Sequence, residues 1–201
     1  MLGTRPALLA ALVVVLSTFA RESWGYDHRD GPTVQMPMEL AGKVIHVDDG
    51  DTLTLLDQQG FKRVIRLTDI DAPESGHGTE RPGQPYSSKA TQQMKSLALG
   101  HHAQANCYDI DARTRDDGTR RERYICRVFV GGIDVNMAMI DAGLAMAYRQ
   151  SRRYVRDAET YRHEDAARQA GKGLWGQASP IPPWNWRRAC WERKQCEGAG
   201  E

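Results

Sequence analysis

The sequence predicts an α+β fold. Three observations carry that expectation. Short runs with strand character recur at 43–47, 52–55, 63–67, 104–108 and 124–130. A helical stripe falls between the third and fourth of these, and two more helical stretches follow the fifth. Glycine- and proline-rich segments separate them. Five short strands with one helix inserted after the third fit a small Greek-key barrel, the OB-fold. Spacing alone supports α+β and no more.

The elements follow in order. Lys43-Val44-Ile45-His46-Val47 reads as the first strand. In Thr52-Leu53-Thr54-Leu55 the two leucines share one face, because side chains alternate across a strand. Gln58-Gln59-Gly60 is a turn. In Arg63-Val64-Ile65-Arg66-Leu67, Ile65 and Leu67 point one way and Arg66 the other, away from the core. Residues 75–86 are rich in Gly, Pro and polar groups and read as a loop. Ser87 or Ser88 can cap a helix with Ala90, Met94, Leu97 and Ala98 on one stripe, closed by Gly100. Strands at 104–108 and 124–130 flank a charged stretch, 109–122, that reads as a long loop. Asp134 can cap a second helix bearing Val135, Ala138, Met139 and Ala142, ending at Gly143. A third helix covers 155–170, after which Leu174-Trp175 can fold back as an apolar plug.

Composition bounds the class. The chain of 201 residues is 40% hydrophobic, enough for one domain plus extras. Pro6–Ala20 is an apolar run after Arg5, with small residues at its end, the pattern of a signal peptide over residues 1–20. About fifteen apolar residues is short for a membrane span. The expectation is export, secreted or periplasmic, with no membrane attachment after cleavage. Residues 21–37 read as a linker, 38–176 as the main domain and 177–201 as a tail. Residues 1–20 carry Arg5 and no acid, so their loss leaves 26 basic against 26 acidic residues. Such a balance provides no global electrostatic attraction for nucleic acid, and any recognition must come from locally placed arginines.

Four cysteines in an exported chain read as disulfides. Cys107 with Cys126 on neighbouring strands, and Cys190 with Cys196 in the tail, is the preferred pairing of the three possible. A zinc site is the rival, but no Cys-x-x-Cys or paired His supports it.

The most informative stretch is 49–74. Asp49-Gly50-Asp51-Thr52 and Arg66-Leu67-Thr68-Asp69-Ile70-Asp71-Ala72-Pro73-Glu74 set carboxylates and an arginine at the two ends of a short hairpin. Hard cations take carboxylate and carbonyl oxygens. A guanidinium fork matches the oxygens of a phosphate. The combination suits a phosphodiester and a divalent metal, although each motif alone is also consistent with turn formers and surface charges.

These pieces, with Arg123 and Val135-Asn136…Ala142-Gly143-Leu144-Ala145, resemble the staphylococcal nuclease (thermonuclease) family in order and near-family spacing, over about Leu40 to Trp175. The resemblance implies a five-strand barrel with three helices and a Ca²⁺-dependent nuclease acting on DNA and RNA. Its usual products carry a 3′-phosphate and a 5′-hydroxyl. It implies that Asp51, Asp71 and the backbone carbonyl of Ala72, where the family usually has Thr, hold the metal. It implies that Glu74 orients or deprotonates the attacking water, and that Arg66 and Arg123 bind the reacting phosphate. The family's Tyr-Gly before the second arginine is absent here. Numbering back from Val135-Asn136 selects Arg123, with Arg120 and Arg121 as nearby rivals. By the same resemblance Tyr148 or Tyr154 stacks on a base. The tail Pro182-Pro183-Trp184-Asn185-Trp186-Arg187-Arg188 mixes aromatics and arginines, and packing against the barrel is expected over substrate binding. A monomer is expected. The alternative function is a catalytically inactive OB-fold module that binds nucleic acid or protein.

Overall fold

The computed structural model describes residues 36–114, 118–150 and 155–196. The signal-peptide and linker expectations over residues 1–35, and Tyr154, lie outside the described residues.

Strands β1 (Met38–Val47), β2 (Thr52–Asp57) and β3 (Lys62–Leu67) form an antiparallel meander. The second strand turns into the third at Asp57, whose Oδ1 accepts the N–H groups of Gln59 and Phe61. The other edge of β1 pairs with β5 (His102–Thr114), which pairs with β6 (Arg120–Val130). The last strand then meets β3 in parallel, with Arg66 opposite Ile125 and Leu67 opposite Cys126. That contact closes the sheet into a five-stranded OB-fold-like barrel, which removes the exposed edges an open sheet would carry. Two short additions, β7 (Ile133–Asp134) on β6 and a separate β4 (Ile70–Asp71) paired with β8 (Met146–Ala147), extend it.

The barrel interior holds Val44, Leu53, Leu55, Ile65, Leu67, Ala105 and Val128, all essentially fully buried. Leu53 and Leu55 share the inward face, and Ile65 and Leu67 do the same while Arg66 points out, as period-two alternation requires. Cys107 and Cys126 lie opposite each other across β5 and β6, with Sγ atoms 2.06 Å apart.

Helix α1 (Ser87–Ala98) covers one end of the barrel with Ala90, Met94 and Ala98. It is not capped by Ser87 or Ser88. Tyr86 occupies the cap position at φ 72°, and no side chain accepts a hydrogen bond there. Helix α2 (Val135–Asp141) starts as the sequence predicts, with the Asp134 carboxylate accepting the Met137 N–H. Helix α3 (Glu159–Gln169) packs on α2. Leu174 folds back and is buried, its N–H bonded to the Gly143 carbonyl. A Cβ at Gly143 would sit 2.2 Å from the Lys172 carbonyl oxygen, so only glycine permits this close crossing.

The stretch 109–122 is not the loop that its charge suggests. The hairpin continues to Thr114 and resumes at Arg120, with Asp111 opposite Arg123 and Arg113 opposite Arg121. Charges on both faces hide the period-two signal, while cross-strand ion pairs such as Asp111–Arg123 stabilise the ladder.

Asn136 joins three elements. Its Oδ1 accepts the Val128 N–H, and its Nδ2 donates to the carbonyls of Thr68 and Cys126. Asn136→Ala should lower stability by at least about 1–3 kcal/mol, the cost of each buried group left unpaired. Urea unfolding measures this, and an unmoved midpoint would show that the amide is dispensable.

Candidate active site

The turn at 48–52 is built to present Asp51. Asp49 Oδ1 accepts the Asp51 N–H, the local turn that aspartate favours. The Asp51 carbonyl accepts the Leu67 N–H, which ties the turn to the end of β3. Gly50 is required by contact, not by dihedral angle. A Cβ there would lie 2.7 Å from both the Ala72 and the Ala90 Cβ atoms. The turn therefore packs directly beneath residue 72, and Ala72 donates its N–H to Asp51 Oδ2 at 3.0 Å.

A second turn delivers Asp71. Asp69 sits at φ 68°, and its side chain accepts bonds from Thr68 Oγ1 and the Arg156 N–H. This reversal after β3 swings β4 back beneath Arg66. Arg66 extends from the outer face of β3 and bridges the two acids. Its Nη1 donates to Asp51 Oδ1 at 2.9 Å and its Nη2 donates to Asp71 Oδ1. Asp71 is wholly buried, and the Arg66 side chain is 21% exposed. Burial works against the Arg66 cation, but Asp51 and Asp71 outweigh it and hold the guanidinium firmly charged.

Glu74 follows Pro73 in the loop after β4. Its main chain is fixed by Gln84: the Glu74 N–H donates to Gln84 Oε1, and the Glu74 carbonyl accepts the Gln84 N–H at 2.8 Å. The carboxylate lies near Asp51 and Asp71, and burial pushes its pKa up to about 7. Asp49 is raised further, to about 8, by burial and by the neighbouring Asp51 charge.

One member of the cluster was not expected from the sequence. Arg187, from the tail, makes a two-pronged contact with Asp71. Nη1 reaches Oδ1 at 3.1 Å and Nη2 reaches Oδ2 at 2.9 Å. Its Nη1 also donates to Glu74 Oε1. The tail packs with Trp186 buried and its indole N–H bonded to the Pro82 carbonyl, and Trp184 and Arg187 of the same stretch line the cavity over the cluster. It docks on the 75–86 loop and in doing so inserts Arg187. The available signal was the mixture of tryptophans and arginines at 184–188, which by itself does not distinguish packing from a site.

A cavity of about 820 Å³ opens over these groups. Its wall includes Arg66, Glu74, Arg123, Tyr148, Trp184 and Arg187. Asp51 and Asp71 lie beneath, in contact with Arg66. Arg123 is on the wall but bonds Asp111, not the carboxylate cluster. Of its sequence rivals, Arg121 also lines the cavity, while Arg120 pairs with Glu122. Tyr148 stands edge-on to Trp184, with ring centres 5.7 Å apart.

The donor chemistry suits a hard cation. Asp49, Asp51, Asp71 and Glu74 offer four carboxylates against the Arg66 and Arg187 guanidiniums, an excess of two negative charges when all are ionised. Among the described residues no three His, Cys, Asp or Glu side chains are grouped to hold a metal.

With barrel and acid–arginine cluster in view, comparison places the chain firmly. Residues 64–177 match the family model of the staphylococcal nuclease homologues, and the chain belongs to that family. An "Uncharacterized endonuclease" of Escherichia coli O157:H7 is 35% identical over 74% of this chain and 86% of its own length. A "Micrococcal nuclease" of Shigella flexneri is 34% identical over 75% of this chain and 82% of its own. An "Uncharacterized endonuclease" of Haemophilus influenzae is 30% identical over 73% and 72%. This membership supports a hydrolytic, nuclease-type function. No described helix is long and apolar enough to cross a membrane.

Gly50→Ala should wedge the Asp51 turn away from Ala72 and lower stability by about 1–3 kcal/mol, the usual range for overpacking. Chemical unfolding checks it; wild-type stability would mean the turn and α1 separate freely.

Proposed function

We propose that this protein is an exported, Ca²⁺-dependent endonuclease that hydrolyses DNA and RNA. The observation that carries the reading is the convergence of Arg66, Asp51, Asp71 and Glu74 at one cavity whose wall also bears Arg123. A phosphodiester is an anion that resists attack, so hydrolysis needs charge neutralisation at the non-bridging oxygens and an oriented water.

Asp51, Asp71 and the Ala72 carbonyl are the groups that would hold Ca²⁺, which supplies positive charge against the phosphate. Arg66 and Arg123 bind the equatorial oxygens, and their bonds strengthen as charge builds in the transition state. Glu74 orients or deprotonates the water that attacks phosphorus in line with the leaving oxygen. For Arg123 this requires exchanging its Asp111 partner for phosphate, a rotation of a side chain already on the cavity wall. Tyr148, edge-on to Trp184, provides an aromatic face for a nucleobase. The near-zero charge of the mature chain supports recognition at the site over broad attraction to the polyanion.

Purified protein with Ca²⁺ should degrade single-stranded DNA and RNA, and a chelator should stop it. Arg66→Ala should lower turnover on the order of 10²–10³-fold, the scale of one oxyanion donor, and Glu74→Gln by about 10²–10⁴-fold, the scale of a general base. Retention on filters without cleavage at millimolar Ca²⁺ would instead favour the binding-module reading. Added Ca²⁺ should also raise the melting temperature, and Asp51→Asn should remove that shift. Calcium with no effect on wild-type melting would exclude these residues as its ligands.

A further inference from the structure

We propose that Arg187 is a positioning residue of the active site, which holds the Glu74 carboxylate in its working orientation. The proposal rests on the nuclease reading above and adds to it a residue from outside the family-matched region 64–177.

Glu74 presents a problem that its own loop does not solve. Its main chain is pinned by Gln84, but its side chain is only 13% exposed and faces the Asp51 and Asp71 charges. A buried carboxylate among like charges turns away unless a cation holds it. Among the described residues Arg187 alone donates to that carboxylate. The same guanidinium is aimed by its fork onto Asp71. A guanidinium is planar, so fixing two of its nitrogens on one carboxylate fixes where its remaining bonds point. A carboxylate has about four lone-pair directions, and Arg66 and Arg187 use three of them.

The tail is constructed to deliver this side chain. Helix α4 (Pro183–Trp186) runs directly into a π-helical turn over Arg187–Glu192. The indole N–H groups of Trp186 and Trp191 both donate to the Pro82 carbonyl, flanking Arg187 in sequence. Gln84 Nε2 donates to the Ile181 carbonyl at 2.6 Å. Gln84 therefore ties the Glu74 main chain to the tail, while Arg187 ties the Glu74 side chain to it. The Cys190–Cys196 bridge closes the far end of the segment. A surface arginine needs none of this apparatus.

The test is a double-mutant cycle between Arg187 and Glu74, with steady-state cleavage of single-stranded DNA measured per folded molecule. Arg187→Ala should lower kcat on the order of 10²-fold, the scale of a positioned acid–base group, with KM changed only severalfold. Arg187→Lys should recover part of the loss, because it restores charge but not the fork. Added guanidinium salt should partly rescue the alanine variant. Glu74→Gln combined with Arg187→Ala should be no slower than Glu74→Gln alone, since Arg187 acts through Glu74. Lys194→Ala, which breaks the peripheral contact with Glu80, should leave the rate unchanged. If Arg187→Ala does not fold, Arg187→Lys carries the same cycle. Wild-type kcat in Arg187→Ala, or multiplied losses in the double variant, would overturn the positioning role alone. A wild-type protein that cleaves nothing would instead sink the nuclease reading beneath it.

Discussion

The Arg66 bridge between Asp51 and Asp71 is the interaction on which the rest of the site depends. Asp71 has no exposed surface, and Asp51 is almost as deeply placed. Carboxylates at such depth are tolerated only when paired and hydrogen-bonded, because desolvation otherwise exceeds what the fold can supply. Arg66 meets that demand from one point on the barrel. It stands on β3, between Thr52 of β2 and Ile125 of β6, at the seam where the sheet closes. The closure that completes the hydrophobic core is therefore also what fixes the guanidinium against both acids.

Everything beyond that bridge is arranged to supply oxygen and then to limit it. Local turns set Asp51 and Asp71, and the loop after β4 adds Glu74. The resulting excess of negative charge is only partly offset when the tail contributes Arg187. Burial, together with the neighbouring Asp51 charge, raises Glu74 and Asp49 well above ordinary carboxylates. The cavity wall carries arginines, among them Arg66, Arg121 and Arg123, interleaved with carboxylates such as Asp49, Asp109 and Asp111.

Much of this is legible in the sequence. Asp51, Arg66, Asp71 and Glu74 lie within one hairpin and its exit, so short-range alternation already puts Arg66 opposite Ile65 and Leu67. The Asp134 cap was readable because a capping carboxylate bonds the N–H three residues on. Other local signals misled. Ser87 and Ser88 have the right chemistry for a cap, but Tyr86 takes the position because the chain enters α1 through a left-handed turn. The hairpin over Asp111 and Arg123 has no alternation to betray it, since both faces meet water or an ion partner.

The sequence by itself determined the pieces whose physics is local: the strand alternation, the acid-bearing turns, the helix stripes and the order in which they come. Tertiary structure alone decided which distant groups meet. Arg123 and Arg66 share a wall only because β6 runs beside β3. Arg187 meets Glu74 across 113 residues only because two indoles and an amide dock the tail on the intervening loop. A guanidinium in the sequence carries the same charge wherever it lies. What it does is set by the carboxylates that folding puts within its reach, and those contacts are long-range by nature.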